Sequence, residues 1–320
     1  MKRKIILLMA VCACAVAAVQ PAHAAEQPSG QLEQANKLLG LQKFDQAEQI
    51  YLDIIQQGSA DAFPAVRQLA VLYITTGEQT KADATVESLL TGFSAQPTLP
   101  RDISLVADAY IKAANYEKAK GLCEHIVKQW PDSEHLLWAE AGYAKLDIAR
   151  ENDSAAETKT DAFISDFNDH PELAEAVFSV AEAYRYKASS KRKEGLKEEQ
   201  HKYLRKALGR WKSISNGLSD SQDLMATSCF YCGDCRRLMF DYLNAIEEYE
   251  EFVSRWPNSV MAPNAQFLIG QNYKHLWLTD PKVNLDARDK SRAAYQKLVD
   301  NYPDSRPAKL AARSLERNDK

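Results

Sequence analysis

The 320-residue sequence carries 40 Lys and Arg against 44 Asp and Glu, a formal net charge of −4. Domains that bind nucleic acid usually carry a basic face on a basic domain, so this balance argues against nucleic acid as a partner. Only 12 Gly and 12 Pro are present, whereas a β-rich chain needs more turn residues. The composition therefore favours an all-α protein, and the length suits one large domain or two ordinary ones.

The N-terminal segment, residues 1–24, has the pattern of a secretory signal peptide. Basic residues 2–4 precede an apolar run over residues 5–19, and Ala22-His23-Ala24 supplies a small-residue cleavage site. The run is shorter than the ~20 residues of a membrane-spanning helix, and no later stretch is apolar enough to span. We expect cleavage after Ala24 and export to the periplasm or cell envelope. Lipidation at Cys14 is the alternative.

A regular spacing of small and aromatic residues runs through the rest of the chain. In its clearest copy, Gly233 is followed after twelve residues by Ala245, after four more by Tyr249 and after eight more by Pro257. The small residue equivalent to Ala245 recurs at Ala47, Ala82, Ala119, Ala207 and Ser291. A period of this length indicates a helical repeat protein.

This spacing resembles the tetratricopeptide repeat, and the resemblance implies an all-α, right-handed superhelical solenoid of about seven helix pairs. We also predict a last helix over residues 308–317. Neither helix of a pair buries its apolar stripe alone, so stacked neighbours must form the core. We assign residues 25–190 to N-terminal repeats and 191–320 to C-terminal repeats of one continuous solenoid, with a basic insertion at the junction.

In tetratricopeptide proteins, residues of the first helix of each pair line a concave surface that binds partners. Transferred to this sequence, the resemblance implies the candidates Asn36, Arg67, Asp108, Lys112, Arg237, Gln271 and Lys274. The cations among them suit an acidic or amphipathic ligand, and as exposed residues they should be replaceable with little effect on folding. Simple solvation of each side chain is the alternative.

A basic stretch runs from Lys187 to Lys212, where ten Lys and Arg accompany three Glu. Its candidate contact residues are Lys191, Arg192, Lys193 and Lys197. They could bind anionic headgroups or an acidic partner. The interpretation that we favour is a solvated helix face with internal pairs such as Glu198–Lys202.

Cys229, Cys232 and Cys235 could form a metal site or a redox-active disulfide, since an exported protein meets an oxidising compartment. On a helix the three side chains spread over about 120°, so they cannot converge on one ion. Cys229 and Cys232 fall on buried positions of the repeat, where Cys packs as a small apolar residue. We interpret the three as packing residues and keep a thiol-based redox or metal-binding function as the alternative.

The C-terminal part, residues 225–315, resembles the repeats of two envelope families. Trp256-Pro257-Asn258-Ser259 and Tyr302-Pro303-Asp304-Ser305 carry this resemblance. The families are the Tol-Pal cell-division coordinator and the repeat lipoprotein of the β-barrel outer-membrane assembly machinery. Both are non-catalytic periplasmic adaptors.

The sequence contains no zinc-protease motif, phosphate-binding Gly loop or nucleophile elbow. We therefore predict a non-catalytic envelope adaptor, without a cofactor, that binds a protein or peptide partner. A structural accessory of an envelope assembly or export complex is a further alternative.

Overall fold

The computed structural model describes residues 30–131 and 134–317, apart from the side chain of Arg317. These residues form fifteen α-helices and no strand, which confirms the predicted all-α fold. The predicted signal peptide, its cleavage site and Cys14 lie outside the described residues. The chain divides into two compact units, one ending at Gln129 and the other beginning at Trp130.

The first unit contains three helix pairs. Its helices are α1 (Gly30–Gly40), α2 (Phe44–Gln57), α3 (Ala62–Thr76), α4 (Gln79–Gly92), α5 (Leu99–Lys112) and α6 (Tyr116–Gln129). Each first helix packs against the second helix of its pair, and the first helices of neighbouring pairs also touch. The turn after α3 begins at Gly77, whose φ of 81° gives the left-handed cap that glycine favours.

The second unit contains four pairs and a last helix. Its helices are α7 (Leu136–Ala149), α8 (Asp153–Asp166), α9 (Leu173–Lys193), α10 (Lys197–Ser213), α11 (Gln222–Leu238), α12 (Tyr242–Arg255), α13 (Ala262–Thr279), α14 (Ala287–Asn301) and α15 (Arg306–Arg317). A π-helical turn over Ile214–Leu218 extends α10. In the part of the chain that the structure describes, the predicted seven pairs and final helix are thus confirmed, with α15 beginning two residues earlier than expected.

The basic stretch lengthens two helices and is not a loop insertion. The helix α9 has 21 residues and α10 has 17, and only residues 194–196 separate them. The predicted junction between residues 190 and 191 lies inside α9, whereas the compact units divide between residues 129 and 130.

Two glycines of the repeat lie directly under aromatic rings. A Cβ added at Gly233 would be 2.7 Å from Cε1 of Tyr249, and one at Gly270 would be 2.5 Å from Cε1 of Tyr295. Such distances are far inside van der Waals contact, so any larger residue must displace the ring. The spacing correctly predicted small residues at a close approach, and the structure shows that a tyrosine ring of the same pair makes that approach.

Among residues 30–131 and 134–317, no helix has both the length and the apolar character that a membrane crossing requires.

Candidate partner-binding surface

The predicted partner-binding residues all lie on first helices of pairs. In the first unit they are Asn36 on α1, Arg67 on α3, and Asp108 and Lys112 on α5. In the second unit they are Arg237 on α11, and Gln271 and Lys274 on α13.

Two of the candidates in the first unit hold the fold together. The guanidinium of Arg67 forms an ion pair with Asp102, whose side chain is only 4% exposed. The hydroxyl of Tyr51 donates a 2.8 Å hydrogen bond to Oδ1 of Asn36. The expectation that Arg67 is an exposed groove cation is therefore wrong, because α5 supplies a buried partner that the sequence did not reveal.

The other two candidates of this unit differ in exposure along α5. Lys112 is exposed in the last turn, where a cation interacts favourably with the helix dipole. Asp108 is half-buried. Of this unit's four candidates, Lys112 is therefore the most exposed.

In the second unit, Arg237 is held by its own helix. Its Nη2 donates a 2.5 Å hydrogen bond to Oδ1 of Asp234, one turn earlier. An equivalent pair on α9 joins Arg185 to Glu182 at 3.0 and 2.9 Å, and the Arg185 guanidinium carbon is 5.3 Å from the ring centroid of Tyr231. Sequence reasoning missed this second pair, although an acid three residues before an arginine is its visible signal.

The remaining candidates, Gln271 and Lys274, lie three residues apart on α13. Gln271 is half-buried and Lys274 is exposed. Lys274 forms no ion pair with another described residue, so its ammonium remains solvated.

The predicted basic contact surface is only partly exposed. The side chain of Lys191 is 8% exposed, and its Nζ lies 2.8 Å from Glu151 and 3.1 Å from Glu194. The inclusion of Lys191 in a free basic patch is therefore wrong. Arg192, Lys193 and Lys197 are exposed.

The acids that neutralise much of the basic stretch come from the preceding pair. Nζ of Lys206 and Nη2 of Arg210 lie 3.3 and 2.8 Å from Glu157. Nη1 of Arg210 also lies 2.7 Å from Asp161. Glu157 and Asp161 share one face of α8 because they are four residues apart. Their spacing was visible in the sequence, but their pairing with Arg210 was not.

Cys229, Cys232 and Cys235 are buried thiols on α11 with no disulfide among them. The thiol of Cys229 donates a weak 3.7 Å hydrogen bond to the carbonyl of Glu248. Burial raises the pKa of Cys229 to about 12 and that of Cys235 well above its ordinary value. Such thiols are poor nucleophiles, which supports their interpretation as packing residues.

The three cysteines are not brought together as metal ligands. Among the residues described, the one trio of possible ligand atoms within 4.8 Å of one another is Cys229, Glu248 and Glu251. Cations already neutralise both carboxylates. Lys212 and Arg236 lie 2.7 and 3.0 Å from Glu248, and Arg255 lies 2.9 Å from Glu251.

A tyrosine, a carboxylate and a lysine form a recurring contact between successive pairs, which we call the inter-pair triad. The hydroxyl of a first-helix tyrosine donates to an acid on the second helix of the preceding pair, and a lysine on its own second helix pairs with the same acid. The complete triads are Tyr73–Glu48–Lys81, Tyr110–Asp83–Lys118 and Tyr184–Glu157–Lys206. Each triad ties two neighbouring pairs together.

The triad has a sequence signal that we missed. Each acid directly follows the buried small residue of its second helix, as Glu48 follows Ala47. Each lysine directly precedes the corresponding residue of the next pair, as Lys81 precedes Ala82. The lysine also lies over the tyrosine ring, with Nζ 4.9 Å from the ring centroid of Tyr73 in the first triad.

A cavity of about 510 Å³ opens between α12 and α14 above α13. Its polar lining residues are Glu250, Ser254, Gln266, Tyr273, Lys290 and Lys297, and Val253 and Ile269 lie among its apolar ones.

A family model described as the tetratricopeptide repeat matches residues 105–133 and 264–305. This chain contains tetratricopeptide repeats. The matched segments include Asp108 and Lys112 in one copy and Gln271 and Lys274 in the other, so four of the seven candidates lie in recognised tetratricopeptide repeats.

Solved structures of tetratricopeptide proteins align with most of this chain, at low identities and TM-scores. One, from Parabacteroides merdae, is 13% identical, with 89% of this chain and 96% of that chain covered and a TM-score of 0.37. The C-terminal part of a repeat protein from Cytophaga hutchinsonii is 11% identical, with coverages of 88% and 98% and a TM-score of 0.39. PilF from Pseudomonas aeruginosa is 13% identical, with coverages of 79% and 98% and a TM-score of 0.36. No curated protein matches the sequence.

Proposed function

We propose that this protein is a non-catalytic adaptor of the bacterial cell envelope, which binds a protein or peptide partner through the first helices of its tetratricopeptide repeats. Repeats of this kind generally serve as protein-interaction scaffolds, and stacked repeats offer an extended binding surface. The signal-peptide pattern of residues 1–24 and the resemblance of residues 225–315 to two periplasmic adaptor families support the envelope location.

The observation that carries the proposal is the exposure of Lys112 and Lys274 on first helices within the two matched repeats. Arg67 and Arg237 are less exposed than these two lysines and form ion pairs with Asp102 and Asp234. Exposed cations steer an acidic partner and affect its association rate and specificity.

Charge reversal tests the binding face. Lys112→Glu combined with Lys274→Glu should keep native helicity and lose partners in pull-downs from envelope extract. The matched control is Lys128→Glu combined with Lys309→Glu, which changes exposed lysines of α6 and α15. Retention of every partner by the first variant, or equal loss in both, contradicts the assignment of the face.

Export has its own measurement. N-terminal sequencing of the protein from envelope fractions should begin at Ala25. Recovery of Met1, or of a lipid-modified Cys14, contradicts the proposed processing.

A further inference from the structure

The seventh helix pair retains two of the three members of the inter-pair triad. Lys290 directly precedes the small residue Ser291, and its Nζ lies 5.8 Å from the ring centroid of Tyr273. Lys118 and Tyr110 have the same relationship at 5.7 Å. Tyr273 and Lys290 are therefore placed as in a complete triad.

The missing member is the acid. The residue that follows Ala245, where the acid of a triad belongs, is the buried Ile246. The hydroxyl of Tyr273 consequently has no hydrogen-bond partner among the residues that the structure describes. In the complete triads, the hydroxyl of the equivalent tyrosine donates to a carboxylate, as that of Tyr73 does to Glu48 at 2.7 Å.

The cavity between α12 and α14 lies beside the two triad members that are present, since both Tyr273 and Lys290 line it. Lys297, seven residues after Lys290 on α14, adds a second exposed cation. Glu250 is the one acid among the lining residues. The lining is therefore net positive. The apolar side chains of Val253 and Ile269 lie in the same cavity, so it offers contacts for an apolar residue beside an acidic one.

The cations of the cavity can exchange partners. Lys290 forms a 2.7 Å ion pair with Asp286, but the two side chains are 52% and 68% exposed. Exposed pairs of this kind add little net stability, because solvent screens the two charges. Lys297 forms no ion pair with any residue in the described ranges. A carboxylate from outside therefore meets little competition for either ammonium group.

We propose that this cavity binds an acidic peptide segment of the partner, whose carboxylate takes the place of the missing triad acid. The carboxylate accepts hydrogen bonds from the hydroxyl of Tyr273 and from Nζ of Lys290, and a neighbouring apolar side chain packs on Val253 and Ile269. This inference rests on the proposed adaptor function, because it names the chemistry of the partner segment. It places that segment between the second helices α12 and α14.

The test is an array of random decapeptides probed with the full protein. We expect wild-type protein to bind peptides rich in Asp and Glu beside apolar residues, and to bind them about tenfold more tightly than the Lys290→Gln variant, because a hydrogen bond to a charged group is lost. Tyr273→Phe should weaken the same peptides. Lys81→Gln is the matched control: it changes a lysine whose triad is already complete, and it should leave array binding unchanged.

Two further variants separate an external from an internal carboxylate. Glu250→Gln removes the like charge from the cavity and should strengthen binding of acidic peptides. Ile246→Glu supplies an internal triad acid and should abolish that binding while circular dichroism shows native helicity. If Ile246→Glu fails to fold, Lys290→Gln and Glu250→Gln decide the question, since both change exposed side chains.

The inference is overturned if the array shows no acidic preference or if Lys290→Gln binds like wild type. Weakening by Glu250→Gln also overturns it, because that residue would then be part of the site. If one of these results overturns the inference while envelope partners are still lost on changing Lys112 and Lys274, the inference fails and the first-helix face stands. If those partners are retained and acidic peptides still bind, the first-helix face fails and the cavity stands.

Discussion

Arg67 and Asp102 form an ion pair that joins the first helices of two neighbouring pairs, α3 and α5. The side chain of Arg67 is 23% exposed and that of Asp102 is 4% exposed. Asp102 also accepts a 2.9 Å hydrogen bond from the hydroxyl of Thr98. A buried carboxylate that loses its cation is costly, because it keeps its desolvation penalty without the compensating charge.

We therefore predict that Arg67→Ala destabilises the protein by about 1 to 3 kcal/mol, the cost of leaving a buried polar partner unsatisfied. Urea denaturation followed by circular dichroism measures the change. Lys112→Ala, which removes an exposed cation from α5, is the control and should stay within about 0.5 kcal/mol of wild type. Equal effects in the two variants would show that the Arg67 pair contributes no stability.

Glycine under an aromatic ring gives the second prediction. Gly270→Ala should destabilise by about 1 to 3 kcal/mol, as overpacking does, because its Cβ would lie 2.5 Å from Cε1 of Tyr295. Gly121→Ala on α6 is the matched control, since no atom lies within 4 Å of its added Cβ. That helical change should be neutral or stabilise by up to about 1 kcal/mol. The prediction fails if both substitutions stabilise.

The buried thiols provide the third prediction. Cys232→Ala should fold and destabilise by about 1 to 2 kcal/mol, because it removes a fully buried sulfur from the core. Titration with a thiol-specific chromogenic disulfide should label Cys229 slowly in native protein, since burial raises its pKa to about 12, and quickly in denaturant. Rapid labelling of native protein, or a stoichiometric metal that Cys232→Ala removes, would instead favour the redox or metal function.

Acid should unfold the protein through its paired carboxylates. Hydrogen bonds from Lys187 and Lys191 lower the pKa of Glu151 to about 2, and Tyr73 and Lys81 lower the pKa of Glu48. A carboxyl group whose folded pKa is depressed contributes stability that is present above its unfolded pKa of about 4.3 and is lost as the pH falls through the folded pKa. For Glu151 the loss therefore falls between about pH 4 and pH 2.

The fourth prediction follows from the lowered pKa of Glu151. The unfolding free energy of wild type should fall over this pH window, and the fall should be smaller in Glu151→Gln, which has no carboxyl group to protonate. Urea titrations at several pH values measure both. Glu33→Gln, exposed on α1, serves as the control and should keep the wild-type slope. A wild-type slope in Glu151→Gln would exclude Glu151 as a source of the acid sensitivity.

Local pattern was enough to predict the helices, their pairing and much of their core. The spacing of Gly233, Ala245 and Tyr249 repeats at helical intervals, and apolar or small residues at those intervals can only be buried between helices. The same reasoning correctly buried Cys229 and Cys232. Whether a residue is buried within its own helix pair depends on its position in that pair. Each pair occupies a short continuous stretch of sequence, so local spacing predicts this burial.

The sequence by itself thus determined the helix pairs, whereas only the tertiary structure decided which charges are available to a partner. Arg67 meets Asp102 across 35 residues, and Arg210 meets Glu157 across 53. Such partners are brought together by the stacking of neighbouring pairs. The inter-pair triads leave a positional signal in the sequence, but neither Arg67 nor Arg210 occupies a triad position. A lysine that is solvated and a lysine that is neutralised therefore look alike in the sequence, as Lys193 and Lys191 do, and burial beside Glu151 is the physical difference between them.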